Sequence, residues 1–409
     1  MRVLHLPKWY PNRYDDQDGD FVARHVAAIA QSAATEGCAV QAAVLLATVA
    51  RAPLPTLLDK ELDFTGPVPT LRYYYRNRIT GLAPVDKLLK LGLYFWCLSS
   101  GYRRLQQHWG GRPDLVHVHV LLRTGLWAWW QQLRHRIPYL VTEHWTIYLP
   151  ERAHHLGWLR RHLTRFVVRR AAVLHTVSES LRGAMQQLGF WNPRTVVLAN
   201  VVDTSLFAPA TTPRVPGQLL VVSAFHEQVK NIGGILRVVA RLRPQWPQLR
   251  LRLAGYGPDE HRLRQQAAEL GLLADGAVVF LGKLPHPAVA QEMQQAAALV
   301  SFSRAETFGC VLLEARATGC PVVGPATGGV PELFQPPSAF GLLVPPDDEA
   351  ALEQALTTIL TNSVAFASDR LRADAEQRCG YEPVGRQFID LYISIIGNAA
   401  RRPAETGAS

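Results

Sequence analysis

At 409 residues and 48% hydrophobic, the chain is too long for one core, since single cores stop growing near ~250–300 residues, and two domains of similar size are expected. Its formal charge of +10 is uneven: residues 1–200 carry 25 Lys+Arg against 13 Asp+Glu and the remainder 18 against 20, so the excess points the first half towards an anionic partner, with a merely soluble basic face as the plain alternative. The five cysteines, Cys38, Cys97, Cys310, Cys320 and Cys379, form no C-x-x-C pair, which excludes a zinc ribbon and a disulfide framework and fits a reducing compartment.

The opening Met1-Arg2-Val3-Leu4-His5-Leu6-Pro7 is too short and interrupted for a signal peptide and reads as a strand. Further strands are predicted at 39–46, 115–119, 139–142, 173–177 and 195–198, separated by amphipathic stretches, the pattern of parallel strands joined by crossover helices. In the first connecting loop, Asp16-Gln17-Asp18 and Asp18-Gly19-Asp20 spell D-x-D, but the loop precedes most of the sheet and a calcium loop fails at its twelfth position, His25. No metal is expected. The basic-aromatic run Arg72-Tyr73-Tyr74-Tyr75-Arg76-Asn77-Arg78 has the composition to stack on a nucleic acid, yet no nucleic-acid module accompanies it. The apolar segment around Leu88 to Leu98 falls short of the ~20 residues that span a bilayer. His119 and His144 each end a predicted strand and so point towards a cleft. Between residues 156 and 169, Leu156, Leu159, Leu163, Phe166 and Val167 share one stripe and Arg160, Arg161, Arg165 and Arg169 lie largely on the other, a basic amphipathic helix expected to pack on the core or, alternatively, to lie on an anionic membrane.

The proline-rich stretch 203–217 reads as the break between domains. Beyond it, strands are predicted at 219–223, 250–254, 278–281, 298–302, 322–324 and 341–344, again doubly wound. Gly255-Tyr256-Gly257-Pro258 lacks the rest of a dinucleotide fingerprint and reads as a turn. The fourth strand runs into Arg304-Ala305-Glu306-Thr307-Phe308-Gly309-Cys310-Val311-Leu312-Leu313-Glu314, whose helix is predicted to start near Phe308 and stop at Gly319. Glu306 then sits in the loop and Glu314 roughly 9 Å along the helix axis, at ~1.5 Å per residue, a span that suits acceptor carboxylates at the two ends of a sugar nucleotide. The unpaired N–H groups at the helix start, with Gly309 permitting close approach, favour the diphosphate between them.

Several ordered motifs carry a resemblance: Trp9-Tyr10-Pro11-Asn12 and Gly19-Asp20-Phe21-Val22-Ala23-Arg24-His25; Asp114-Leu115-Val116-His117-Val118-His119; Thr142-Glu143-His144-Trp145; Asn200-Val201-Val202-Asp203; Leu253 to Pro258; Glu306 to Glu314 followed by Ala317-Thr318-Gly319-Cys320-Pro321; and Cys379-Gly380-Tyr381 before an apolar helix at 388–396. Together they resemble the retaining glycosyltransferases of family 4, whose GT-B architecture sets two Rossmann-like α/β domains across a central cleft. The resemblance implies an acceptor-side domain at 1–205, a nucleotide-sugar domain at 206–380, a terminal helix at 381–400 packing back on the first domain, and a tail at 401–409. It implies that Glu306 holds donor-sugar hydroxyls, Glu314 the ribose and Lys230 the diphosphate, with Gly19, Phe308, Gly309, Cys310 and Val311 completing the donor site and His144 catalytic beside Lys230 and Glu306. His119, Gly328 and Gly329 are further candidates. Where the family often has a phosphate-clamping arginine this chain has Ala224 and Phe225, leaving His226 as the nearest base. Asp20 is expected to cap the helix from Phe21.

The function implied is transfer of a sugar from a nucleotide-sugar, with no cofactor, to a glycan, lipid-linked or small-molecule acceptor, in the cytoplasm or at the inner face of the membrane. Peripheral contact of the basic first domain with an anionic membrane is expected, and no nucleic acid. An epimerase of UDP-GlcNAc with the same fold, or a non-catalytic binding protein, is the alternative.

Overall fold

The protein is described by a computed structural model over residues 1–336, 339–361 and 366–401; all but the first residue of the expected tail lies outside the described residues. Eight strands build the first sheet: β1 Arg2–Pro7, β2 Gln41–Val49, β3 Leu58–Asp63, β4 Thr70–Tyr75, β5 Leu115–His119, β6 Tyr139–Glu143, β7 Val173–Thr176 and β8 Thr195–Val197, in the order β3-β4-β2-β1-β5-β6-β7-β8. The second sheet has β9 Val215–Val222, β10 Arg250–Ala254, β11 Val278–Gly282, β12 Ala296–Val300, β13 Val322–Pro325 and β14 Leu342–Val344, in the order β11-β10-β9-β12-β13-β14. All pairings are parallel except β3 with β4. Helices cover both faces, so central strands such as Leu115–His119 are buried at every residue.

The winding direction reverses at β1 in the first sheet and at β9 in the second. Ligands of such sheets bind beyond the carboxyl ends of the strands flanking the reversal. Those ends deliver Pro7 and His119 on one side and Val222 and Val300 on the other, so the loops that follow them face a common crevice.

Two sequence expectations change. Residues 72–78 are no exposed stacking surface: Tyr73, Tyr74 and Tyr75 are 0–2% exposed inside β4, because Tyr73 and Tyr75 pack under the helix Ala83–Trp109 and Tyr74, on the other face, packs against Tyr14, Ala50 and Leu54. The expected break at 203–217 is invaded by β9, which starts at Val215; Pro216 and Gly217 fall where the register with β12 shifts between Ala296 and Ala298, the bulged position that tolerates both residues within a strand.

The helix Tyr381–Ala400 lies along the helix Asp20–Thr35 and buries Phe388, Ile389, Tyr392 and Ile395 against Val3, Ile29 and Leu115. Tyr392 also ends a buried polar chain. His175 Nε2 lies 3.0 Å from the carbonyl of Leu198, which can only accept, so the proton is on Nε2 and Nδ1 is an acceptor. Thr142 Oγ1 therefore donates to His175 Nδ1 over 2.9 Å and accepts from His117 Nε2 over 2.6 Å. That leaves His117 Nδ1 to accept the Tyr392 hydroxyl at 2.7 Å. Burial pushes His117 well below its ordinary value and His175 down to about 4, so both are neutral and the chain has one direction. His5, His117 and His119 come close enough to share a metal ion, but both His117 nitrogens are committed to this chain. His5 and His119 bond to each other at 3.1 Å.

Tyr392→Phe leaves His117 Nδ1 buried without a donor, and is expected to lower stability by about 1–3 kcal/mol in urea unfolding.

Candidate functional site

β12 ends at Val300, and residues 301–309 cross the crevice floor before the helix Cys310–Ala317 begins. Gly309 occupies the N-cap in the left-handed region, φ 96°, a conformation that glycine adopts without steric cost. The helix start is therefore open, with its N–H groups aimed into a cavity of about 790 Å³ lined by Glu306, Phe308, Gly309, Cys310, Val311 and Glu314. Its other walls bring Gly19, His144, His226 and Lys230 into the same space.

Glu306 and Lys230 do not face each other across open space. Lys230 Nζ donates to Glu306 Oε2 at 2.7 Å, each side chain less than a quarter exposed. Lys230 closes the short helix Glu227–Lys230 at the carboxyl end of β9, and the Glu306 loop follows the neighbouring β12, so the pairing follows from sheet order. Gly328 and Gly329 do not line the cavity. A Cβ on Gly328 would stand 1.7 Å from the Glu306 carbonyl, and one on Gly329 2.3 Å from that of Thr307. Their bare backbone holds the Glu306 loop in place.

Glu314, 6% exposed, is met from the first domain: Arg24 donates to its Oε1 at 2.5 Å and to Asp20 at 2.7 Å. Asp20 is not the helix cap. It is the first helical residue, Gly19 in the left-handed region takes the N-cap, and no side chain caps the helix. The Asp20 carboxylate instead accepts from His286 of the second domain at 2.9 Å. Asp15 and Asp16 of the D-x-D loop are likewise taken by Lys283, at 2.8 and 2.5 Å, and Tyr256 donates to Asp15 at 2.8 Å. These five cross-domain contacts close the crevice over one edge. Sequence reasoning gave Arg24, Tyr256, Lys283 and His286 no role; the available signal was Arg24 four residues after Asp20, on the same helix face.

His144, 8% exposed at the end of β6, has no hydrogen bond at either ring nitrogen. Burial first, then the neighbouring His25 and His175, push it well below the ordinary histidine value. It is a neutral imidazole at the cavity wall with both ring nitrogens buried, Asn200 only partly opposing the fall. His119 is fully buried, bonded to His5, and outside the cavity lining. His226 is exposed at the rim, next to Ala224.

Comparison with known proteins finds the model described as "Glycosyl transferases group 1" over residues 216–362 and that described as "Glycosyl transferase 4-like domain" over residues 22–201. The chain is similar to a glycogen synthase of Mycobacterium tuberculosis, 30% identical over 302 residues that cover 69% of this chain and 70% of that protein. Among solved structures it resembles sucrose-phosphate synthase from Thermosynechococcus elongatus, with TM-score 0.76 and 20% identity over 97% of this chain and 100% of that one. It also resembles Anabaena Alr3699/HepE in complex with UDP-glucose, with TM-score 0.69 and 20% identity over 96% and 100%.

The Asp20 contact raises the His286 pKa above 6.5, so the bridge is complete below that value and is lost as pH rises through the raised one. In an NMR titration His286 is expected to titrate above the ordinary histidine value and to fall back in Asp20→Asn, where only Glu314 still opposes burial and Arg24; an unchanged midpoint would contradict the bridge.

Proposed function

This chain belongs to the group 1 glycosyltransferases, family 4 in type, and from that premise we propose that its cleft seats a nucleotide-sugar along the Gly309 turn and transfers the sugar with retained configuration. The observation that carries the reading is the pair Glu306 and Glu314 on either side of an open helix start, each bonded to a cation that lines the same cavity. In this reading the ribose hydroxyls take the place of Arg24 on Glu314, and sugar hydroxyls bond to Glu306. The diphosphate sits at the N–H groups of Cys310 and Val311, where the helix start favours an anion.

Lys230, released from Glu306, neutralises charge on the departing diphosphate, the electrostatic contribution that is usually the largest in such sites. The bond from the anomeric carbon to the phosphate oxygen breaks with its electron pair going to the diphosphate. The acceptor oxygen then bonds to that carbon on the same face, and its proton passes to the departing phosphate oxygen. No carboxylate is free to act as a nucleophile: Glu306 is engaged with hydroxyls, and retention by double displacement would need a second carboxylate about 5 Å from the first. His144, neutral and unbonded, holds a hydroxyl of the transferred sugar or the acceptor.

The first domain also suits peripheral contact with an anionic membrane, the reading its charge suggested. On the helix Ala83–Trp109, Val85, Leu88, Leu89, Leu91 and Trp96 are 37–72% exposed, with Lys87 and Lys90 among them. Apolar side chains interleaved with lysines fit a headgroup boundary. The helix 158–170, in contrast, buries Thr164, Val167 and Val168 and is mostly a core element, although Trp158 and Leu159 stay exposed. No helix among the described residues is long and apolar enough to cross a membrane.

A thermal-shift screen of UDP-, GDP- and ADP-sugars selects the donor. With it, Lys230→Ala and Glu306→Gln are each expected to lower kcat by about 10²–10³, and transfer at the wild-type rate would refute both roles. Sedimentation with vesicles containing phosphatidylglycerol should exceed that with neutral vesicles at low salt and fall as salt screens the lysines; equal binding to both refutes the membrane contact.

A further inference from the structure

Behind Trp145, an indole on the first-domain wall of the same cavity, the chain places two cations with no acid bonded to either. Lys8 follows β1, and its N–H donates to the His119 carbonyl at 3.1 Å, which fixes the residue at the carboxyl end of the sheet. Its Nζ lies 3.3 Å from the Trp145 ring centroid and 4.2 Å from that of Trp9. The two indoles meet edge to face with centroids 5.4 Å apart. The Arg160 guanidinium stands 5.1 Å from the Trp145 ring. Trp9, Trp145 and Thr146 line the cavity that holds Glu306 and His144.

Among the described residues neither the Lys8 ammonium nor the Arg160 guanidinium has a hydrogen bond or an ion pair. The nearest acid is Glu143, fully buried, whose oxygens accept from the Leu121 N–H at 2.6 Å, the His144 N–H at 3.3 Å and the Tyr148 hydroxyl at 3.3 Å. Burial pushes Glu143 up to about 7, so it offers only partial charge near neutrality. Burial lowers Lys8 to about 8, with Glu143 opposing and Arg160 and Arg123 adding to the fall. Two like charges held together on an aromatic face repel each other, and a cation over an indole is stabilised by only ~0.5–2 kcal/mol. An anion between them would relieve the repulsion, and a guanidinium fork beside a point-charge ammonium suits the oxygens of a phosphate.

We propose that Lys8 and Arg160, set on Trp145, form an acceptor subsite that takes a phosphate group, so that the sugar is transferred to a phosphate-bearing acceptor. This inference rests on the transferase reading above for the identity of the bound molecule as acceptor, but its site is separate from the donor residues. A soluble sugar phosphate and a lipid headgroup present the same phosphate chemistry to this subsite.

The test is calorimetric titration of the full chain at pH 7 with glucose 6-phosphate against glucose, and with dihexanoylphosphatidic acid, below its micelle concentration, against dihexanoylglycerol. At least one phosphate-bearing probe is expected to bind about tenfold or more tightly than its neutral counterpart, and which one does so identifies the carrier. The preference should shrink about tenfold in Lys8→Met and, independently, in the solvent-side variant Arg160→Gln. It should fade as pH rises through about 8, where Lys8 loses its proton. Lys230→Ala, which would remove a phosphate seated in the donor site, should leave it unchanged. The proposal is overturned if neither probe outbinds its neutral counterpart, if the preference survives both substitutions, or if it disappears in Lys230→Ala instead. Failure of nucleotide-sugar binding in the same protein would refute the donor reading and leave this result standing.

Discussion

The left-handed turn at Gly309 is the constraint on which the rest of the site depends. It stops β12 from passing directly into a helix and opens the first turn of Cys310–Ala317 to the crevice. It also separates one carboxylate on a loop from another on the helix. A Cβ there would press within 3.1 Å of Leu312 and 3.4 Å of Val330 in a backbone conformation that side chains rarely adopt. Gly328 and Gly329 complete the arrangement from behind, since only bare backbone fits against the carbonyls of Glu306 and Thr307.

A crevice lined by the carboxylates of Asp15, Asp18, Asp20, Glu306 and Glu314 would repel itself were it not cross-linked. Arg24 and Lys283 each reach a carboxylate of the opposite domain, and His286 reaches Asp20. These pairs are partly buried, where charges interact more strongly than at the surface, and each runs between domains. They describe a cleft whose carboxylates are already paired; in the proposed reading a ligand exchanges partners with these ion pairs, a diphosphate bringing its own charge for Lys230 and a ribose bringing hydroxyls for Glu314. The terminal helix supports this closure from outside: Tyr392 is anchored by a one-way hydrogen-bond chain through three strands of the first sheet, while the same helix follows directly from the second domain.

Much of this was legible in the sequence. Both sheets announced themselves as apolar runs separated by amphipathic stretches except at the edge strands β3, the polar Leu58–Asp63, and β4, which were not predicted, and the Glu306 to Glu314 spacing is a local property of one loop and one helix. What was not legible depends on partners distant in the chain. Asp20 sits before an apolar helical stripe like a cap residue, but Gly19 takes that position and the carboxylate is claimed by Arg24 and by His286, more than 260 residues later. The tyrosines at 73–75 look like an exposed basic-aromatic strip because the pattern records neighbours, not the helix Ala83–Trp109 that covers Tyr73 and Tyr75 or the loop residues Tyr14, Ala50 and Leu54 that cover Tyr74. His119 and His144 end adjacent strands, and the difference between a histidine sealed behind His5 and one opening on the cavity is a matter of which loop covers which strand end. Lys8 carried no motif, and its place in the proposal rests on its ammonium having no bonded acid among the described residues.

The most direct measurement is a crystal structure with the nucleotide-sugar that raises the melting temperature most. The account predicts ribose hydroxyls within hydrogen-bond distance of Glu314, diphosphate oxygens at the N–H groups of Cys310 and Val311, Lys230 turned from Glu306 to the phosphate, and Arg24 displaced. A ligand ordered elsewhere, with the Glu306–Lys230 and Glu314–Arg24 pairs intact, would contradict it.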